Sequence, residues 1–150
     1  MIALNLGSGD TRVQDHISVD LHTDADVKHD LTTPLPYKDG SVDRIYSSHV
    51  IEHFTRAEWE HVRRDWLRVL KPGGVMELRC PDMEKLCVLF LGGEDRELQL
   101  QRIYGQQGSE GQLHKNGFTP ESLVNSFPDC TWRILPASSD YELHMEFIKR

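Results

Sequence analysis

A chain of 150 residues has the size of one domain, long enough for a single sizeable core and too short for two. Its formal net charge of −7 argues against nucleic acid as a partner, because binding to phosphates draws its dominant attraction from basic patches. No apolar run reaches the roughly 18 residues of a membrane span, and "MIALNLGSGD" lacks the basic flank and apolar core of a secretory signal, so a soluble cytoplasmic protein with no membrane partner is expected.

In chain order, short strands are predicted at "IALNL", "ISVDL", "ADVKHDL", "VDRIYSS" and "VMELRC", each bounded by turn or helix signals. The clearest helix, "TRAEWEHVRRDWLRVL", falls between the last two, with Trp59, Val62, Trp66, Val69 and Leu70 on one face. Thr55 and Glu58 make a capping box at its start, Phe54 and Trp59 are spaced as a hydrophobic staple, and "KPGG" ends it. Two further helices are predicted from about Met83 to Leu91 and from about Glu94 to Tyr104. The glycine-rich "GQQGSEGQLHKNG" then reads as a mobile loop. Thr119 caps a short helix with Pro120 in its first position, Phe118 and Leu123 as its staple, and an end before Pro128. "TWRILP" and "YELHMEFI" read as an antiparallel hairpin, in which Tyr141, Leu143, Met145 and Phe147 alternate with Glu142, His144 and Glu146. Strands alternating with helices and closed by such a pair give an α/β sheet. Cys80, Cys87 and Cys130, odd in number and without Cys-x-x-Cys spacing, suggest neither a disulfide framework nor a thiolate zinc site and read as reduced packing residues.

The chemistry-bearing residues cluster at strand ends. "LNLGSGD" runs an apolar strand into a Gly-x-Gly turn, where backbone can pass close to a ligand and amides can receive a carboxylate or phosphate. The second strand ends in Asp20 and the third in "HDL", with Asp30 further along the same rim, where open α/β sheets bind ligands and an acid can take both hydroxyls of a ribose. A nicotinamide dinucleotide fits poorly: the third glycine of its fingerprint would fall at Arg12, and Asp20 comes too early. His49-x-x-Glu52-His53 matches a zinc-protease pattern. That reading needs both histidines one turn apart on one helix, and the capping box at Thr55 starts the helix after them, so a protease is rejected and no metal is expected.

The order "LNLGSGD", "VDL", "HDLTTPLPYKDGSVDRIYSSHVIEHF" and "LRVLKPGGVMELRCPD" resembles the class I S-adenosylmethionine-dependent methyltransferases, specifically their small type-11 branch. "HKNGFTPESL" is more loosely similar to predicted methyltransferases associated with surface-glycan genes. The resemblance implies a Rossmann-like, mostly parallel sheet with an antiparallel C-terminal hairpin. It implies one domain, with residues 1–82 as the cofactor half and 83–150 as the acceptor side, including a lid loop at about 105–118. It also implies that Gly7 and Gly9 approach the methionine end of S-adenosylmethionine. Asp20 would bind the ribose, Asp30 and the Leu31 amide would frame the adenine, and Ser47, Ser48 and His49 would line the site.

Two departures stand out. Asn5 occupies the place where the family usually has an acid that orients the glycine loop, and Thr11 replaces a frequent third glycine. Only residues 7 to 16 separate the first two strands, short for a parallel crossover, so the first helix is expected to be reduced to a turn or missing. The sequence also opens almost on its first strand, so the N-terminal segments that often cover the cofactor in the resembled family are expected to be absent: either the acceptor is small, the 105–118 loop forms the lid, or a partner subunit in a homo-oligomer closes the site. The expected reaction is methyl transfer to a small-molecule or glycan acceptor, on oxygen, with His49 and His114 as candidate bases and Glu52 and His53 next. The alternative is a non-catalytic S-adenosylmethionine-binding or scaffold protein.

Overall fold

The computed structural model describes residues 1–93 and 95–150. Seven strands, β1 (Ala3–Leu6), β2 (Ile17–Asp20), β3 (Val27–Lys28), β4 (Val42–Ser48), β5 (Leu70–Pro81), β6 (Cys130–Ile134) and β7 (Glu142–Lys149), form one sheet. Their order is β3-β2-β1-β4-β5-β7-β6. The first five are parallel, and β7 runs antiparallel between β5 and β6. The strand order reverses between β1 and β4, and ligands of such α/β sheets bind outside the carboxyl ends of the strands at that reversal. No helix lies between β1 and β2, in keeping with the short crossover.

Helix α1 (Arg56–Val69) begins at Thr55, whose hydroxyl accepts from the Glu58 amide at 3.2 Å while its own amide donates to Glu58 Oε2 at 2.7 Å. It buries Trp59, Val62, Trp66 and Val69 against a sheet face made by Leu4, Leu6, Ile45, Met76, Leu78, Leu143, Met145 and Phe147. Trp59 is the junction of this core, edge-on to Trp66 at 5.9 Å, Phe118 at 5.5 Å and Phe127 at 5.9 Å. Such aromatic pairs add about 0.5–1.5 kcal/mol each beyond their buried area. The short helix α4 (Pro120–Asn125), capped by Thr119, adds Leu123 to the same core.

The opposite sheet face is polar. Residues paired across β4, β5, β7 and β6 place Arg44 near Glu77 at 3.9 Å, His144 on Glu77 at 2.8 Å and Arg133 on Glu146 at 2.8 Å. The alternation predicted for the last strand therefore holds, with Leu143, Met145 and Phe147 buried on one side. Glu142 and Glu146 are nevertheless buried as well, because each carboxylate is paired with an arginine.

Several boundaries differ from the sequence expectation. β5 starts at Leu70 and runs through "KPGG", because Val42 pairs with Leu70 and Arg44 with Val75, so that residues 71–74 bulge out between the two pairs. β3 is only two residues long, and Asp30 lies beyond it in a turn that its own side chain builds by accepting from the Thr32 amide at 2.9 Å and hydroxyl at 2.7 Å. Helix α2 (Met83–Gly92) ends at Gly93, whose φ of 84° is the left-handed helix stop. Helix α3 is Arg96–Tyr104, and Glu94, the expected start, lies outside the described residues. Cys80 and Cys130 are buried as packing residues, but Cys87 on α2 is exposed and is not one.

Candidate functional site

Two adjoining cavities sit at the carboxyl edge of the sheet. The first, about 320 Å³, is lined by the glycine turn (Gly7, Gly9), the end of β2 (Asp20, Leu21), Asp30, Leu31, and Val50 and Phe54 from the segment after β4. Gly7 has a φ of 67°, and a Cβ there would overlap the Val50 side chain, so only glycine lets the turn pass beneath that wall. Asp20 is the organiser: Oδ2 accepts from the Gly9 amide at 2.9 Å, and Oδ1 accepts from the amides of His22 at 2.8 Å and Thr23 at 3.1 Å. Partial burial would raise its pKa, but these amides more than compensate and hold it below the usual carboxylate value. Asn5, where the resembled family carries an acid, donates its side-chain amide to the Thr11 carbonyl at 3.0 Å and so braces the same turn from the opposite chemical sense.

The second cavity, about 460 Å³, is lined by Pro81 at the end of β5, Tyr141, the α3 residues Leu98, Gln101 and Arg102, and the 105–114 loop with Gln106, Gln112 and His114. Arg102 lies over the Tyr141 ring at 4.0 Å, which fixes both as a polar wall. His49, His53 and Gly111 line both cavities. The loop is anchored rather than loose at its far end. The His114 amide donates to the Tyr104 carbonyl at 3.1 Å, those of Lys115 and Asn116 to the Glu52 carbonyl at 2.8 and 3.1 Å, and His53 Nδ1 to the Leu113 carbonyl at 2.9 Å.

Electrostatics separates the histidines. His49, at a φ of 55° just past β4, has Nδ1 3.3 Å from Glu52 Oε1 and Nε2 3.1 Å from Glu142 Oε1. The Glu52 contact raises its pKa, burial opposes that, and Glu142 reinforces it, so the imidazolium is favoured. Burial alone would raise the pKa of Glu142. Arg79 at 2.7 Å and the Ser138 amide at 2.9 Å and hydroxyl at 3.0 Å instead bring it to about 2. His114 is the converse case: burial lowers its pKa, Glu52 opposes, and His53, 5.0 Å away ring to ring, adds to the lowering.

Of the residues predicted from sequence, Gly7, Gly9, Asp20, Asp30 and Leu31 meet in one cavity, His114 in the other, and His49 in both. Ser47 and Ser48 are not among the lining residues. The Ser47 side chain is buried and donates to the Leu6 carbonyl at 3.0 Å, tying β4 to β1 beneath the site. His49 and His53 do not share an α-helix: His53 closes a 3-10 turn, Ile51–His53, and α1 starts at Arg56. Sequence reasoning missed Glu142, Arg79, Tyr141 and Arg102 as site residues. Tyr141 and Glu142 were assigned only to a hairpin strand by their alternation, and nothing local marks the antiparallel return that brings that strand's start beside Pro81.

Comparison with known proteins agrees with this architecture. Residues 6–78, just under half of the chain, match the family model described as a methyltransferase domain. An S-adenosylmethionine-dependent methyltransferase of Thermotoga maritima shares 18% identity, with 99% of this chain and 82% of that one covered at a TM-score of 0.68. One from Archaeoglobus fulgidus shares 14%, with 98% and 85% covered at 0.66. A third, from Methanosarcina mazei, shares 14%, with 97% and 89% covered at 0.65. Likeness at these identities establishes the Rossmann-like fold. No curated protein matches the sequence. The matched segment is thus similar to a methyltransferase domain, and the solved structures named above are of enzymes that depend on S-adenosylmethionine. The residues present fit that cofactor. A Cβ on Gly9 would meet nothing within 4 Å, so the turn is open to the first cavity, and that cavity pairs two carboxylates with the apolar walls of Leu21, Leu31, Val50 and Phe54. Among the described residues no helix is long and apolar enough to cross a membrane.

Proposed function

We propose that this chain transfers a methyl group to an oxygen of a small polar or glycan acceptor, in the cytoplasm, with residues 1–82 holding the cofactor and 83–150 the acceptor. One observation carries the reading: the two cavities meet at His49, His53 and Gly111, so ligands in the two would touch there. Asp20 takes the ribose hydroxyls, Asp30 and Leu31 flank the adenine, and Gly7 and Gly9 lie along the methionine end. Bound S-adenosylmethionine supplies an electrophilic methyl on a sulfonium. The protein's part is alignment, which can supply roughly 7–11 kcal/mol of barrier reduction, and removal of the acceptor proton.

His49, held between two carboxylates, is favoured as the imidazolium and is poorly suited to take that proton; it fixes the rim of the site. His114, favoured as the neutral ring, can receive the proton on an unprotonated ring nitrogen. Glutamines 101, 106 and 112 with Arg102 offer the donors and acceptors that a hydroxyl-rich acceptor would engage, and this supports the polyol or glycan class. The 105–118 loop is the lid, since Gly111 reaches both cavities while residues 113–116 are anchored on Glu52 and His53. Transfer of a radiolabelled methyl to saccharides and polyols, with phenols, amines and peptides as comparators, tests the reading. Labelled methyl ethers of the polyols are expected. Transfer only to nitrogen acceptors overturns the oxygen assignment, and cofactor binding with no transfer to any class favours a binding module.

A further inference from the structure

Glu52 carries an anomaly that the methyl-transfer reading leaves unexplained. Its side chain is only 2% exposed, yet neither carboxylate oxygen makes a hydrogen bond among the described residues. Its ion-pair partner is His49, whose Nδ1 approaches Oε1 at 3.3 Å. A buried carboxylate whose oxygens accept no hydrogen bond is costly even beside an imidazole, and a ligand would satisfy it. Beside it stand two imidazoles: one carboxylate oxygen of Glu52 and one ring nitrogen each of His53 and His114 lie within 4.8 Å of one another. His53 spends Nδ1 as a donor to the Leu113 carbonyl at 2.9 Å, which leaves Nε2 to act as a ligand. That backbone contact is how metal-bound histidines are usually oriented from behind.

We propose that Glu52, His53 and His114 bind a single divalent transition-metal cation, zinc or cobalt in class, in the wall of the acceptor cavity. Two nitrogens and one carboxylate oxygen form a borderline donor set suited to such ions and leave at least one coordination position open. Ligand distances near 2.0–2.1 Å require donor separations of about 3.4 Å in a tetrahedral site, so the three groups would close on the ion by an ångström or so. His114 makes that closure feasible, because it arrives on the loop while Glu52 and His53 sit on one short turn. Both His53 and His114 line the acceptor cavity, so the open position faces the acceptor.

The consequence for catalysis rests on the proposed function, whereas cation binding does not. A hydroxyl at the open position loses its proton to solvent more readily. The oxygen then uses its electron pair for the new O–CH3 bond while the C–S bond breaks and its pair stays on sulfur. In that state His114 is a ligand, and the cation takes over the task of making the acceptor nucleophilic. The pairing differs from the protease pattern at His49-x-x-Glu52-His53, for it recruits the glutamate, only the second histidine, and a third residue 61 positions further on.

Equilibrium dialysis with Zn2+, and the visible spectrum with Co2+, test this on the intact chain. We expect one ion per chain, a four-coordinate Co2+ spectrum, and binding weakened about tenfold or more in Glu52→Gln, His53→Ala and His114→Ala. His61→Ala, an exposed histidine on α1, should bind as the wild type does. S-adenosylhomocysteine binding by the same variants separates folding from ligation. His114→Ala, on the loop, carries the test if a Glu52 variant fails to fold. Absence of stoichiometric binding, or equal binding by His114→Ala, overturns the cation site while leaving the cofactor reading intact. Loss of S-adenosylhomocysteine binding in the wild type counts instead against the cofactor reading.

Discussion

Asp20 and Glu142 show how far single residues could be read in advance. Asp20 announced itself at a strand end in the right order after the glycine turn, and the structure adds how it works, by gathering the Gly9, His22 and Thr23 amides. Asp20→Ala should therefore weaken S-adenosylhomocysteine binding by more than about tenfold. Asp20→Asn, which keeps the shape and one acceptor oxygen but loses the other and the charge, should fall between; titration calorimetry measures both. Glu142 was invisible as a site residue because its partners, Arg79, Ser138 and His49, come from three separate segments. Its folded pKa of about 2 lies below its ordinary 4.5, so its stabilisation is complete above pH 4.5 and is lost as the pH falls toward 2. The shift corresponds to at most about 3 kcal/mol. Denaturant unfolding across that window should show the loss in the wild type and a flatter profile in Glu142→Gln.

At the scale of elements, capping chemistry was the most legible signal and strand extent the least. The Thr55–Glu58 box sits where the sequence placed it, since its hydrogen bonds join residues three apart and need no tertiary help. Thr55→Ala should cost about 1 kcal/mol of stability, read from the shift of an unfolding midpoint. The start of β5 depends on pairing with β4 across a register shift, and the brevity of β3 depends on an aspartate turn; neither leaves a periodic trace. The 105–114 loop is likewise a tertiary product. Gly105 pairs with Leu113 to form its neck, has a φ of 79°, and would overlap the Gln112 carbonyl if it carried a Cβ. Gly105→Ala should open that neck, raising KM for the acceptor several-fold while leaving cofactor affinity nearly unchanged; steady-state kinetics and calorimetry read the two separately.

For the whole molecule, the mostly parallel sheet with its antiparallel C-terminal pair was legible in the motif order and the strand alternation, and the missing first helix in a linker too short to hold one, whereas the strand order itself was not. The one-sided packing of the sheet, apolar beneath α1 and α4 and laddered with charges opposite, was hinted at only by the alternation in the last strand. In the proposed function, the strand-end rim at Gly7, Gly9, Asp20, Asp30 and Leu31 holds S-adenosylmethionine against the neighbouring acceptor cavity. Co-crystallisation with S-adenosylhomocysteine tests it most directly. We expect density for the thioether product in the first cavity, its ribose on Asp20 and its sulfur directed toward His49 and His53. A product bound elsewhere, or a crystal that excludes it at saturating concentration, would rule out the cofactor site at this rim.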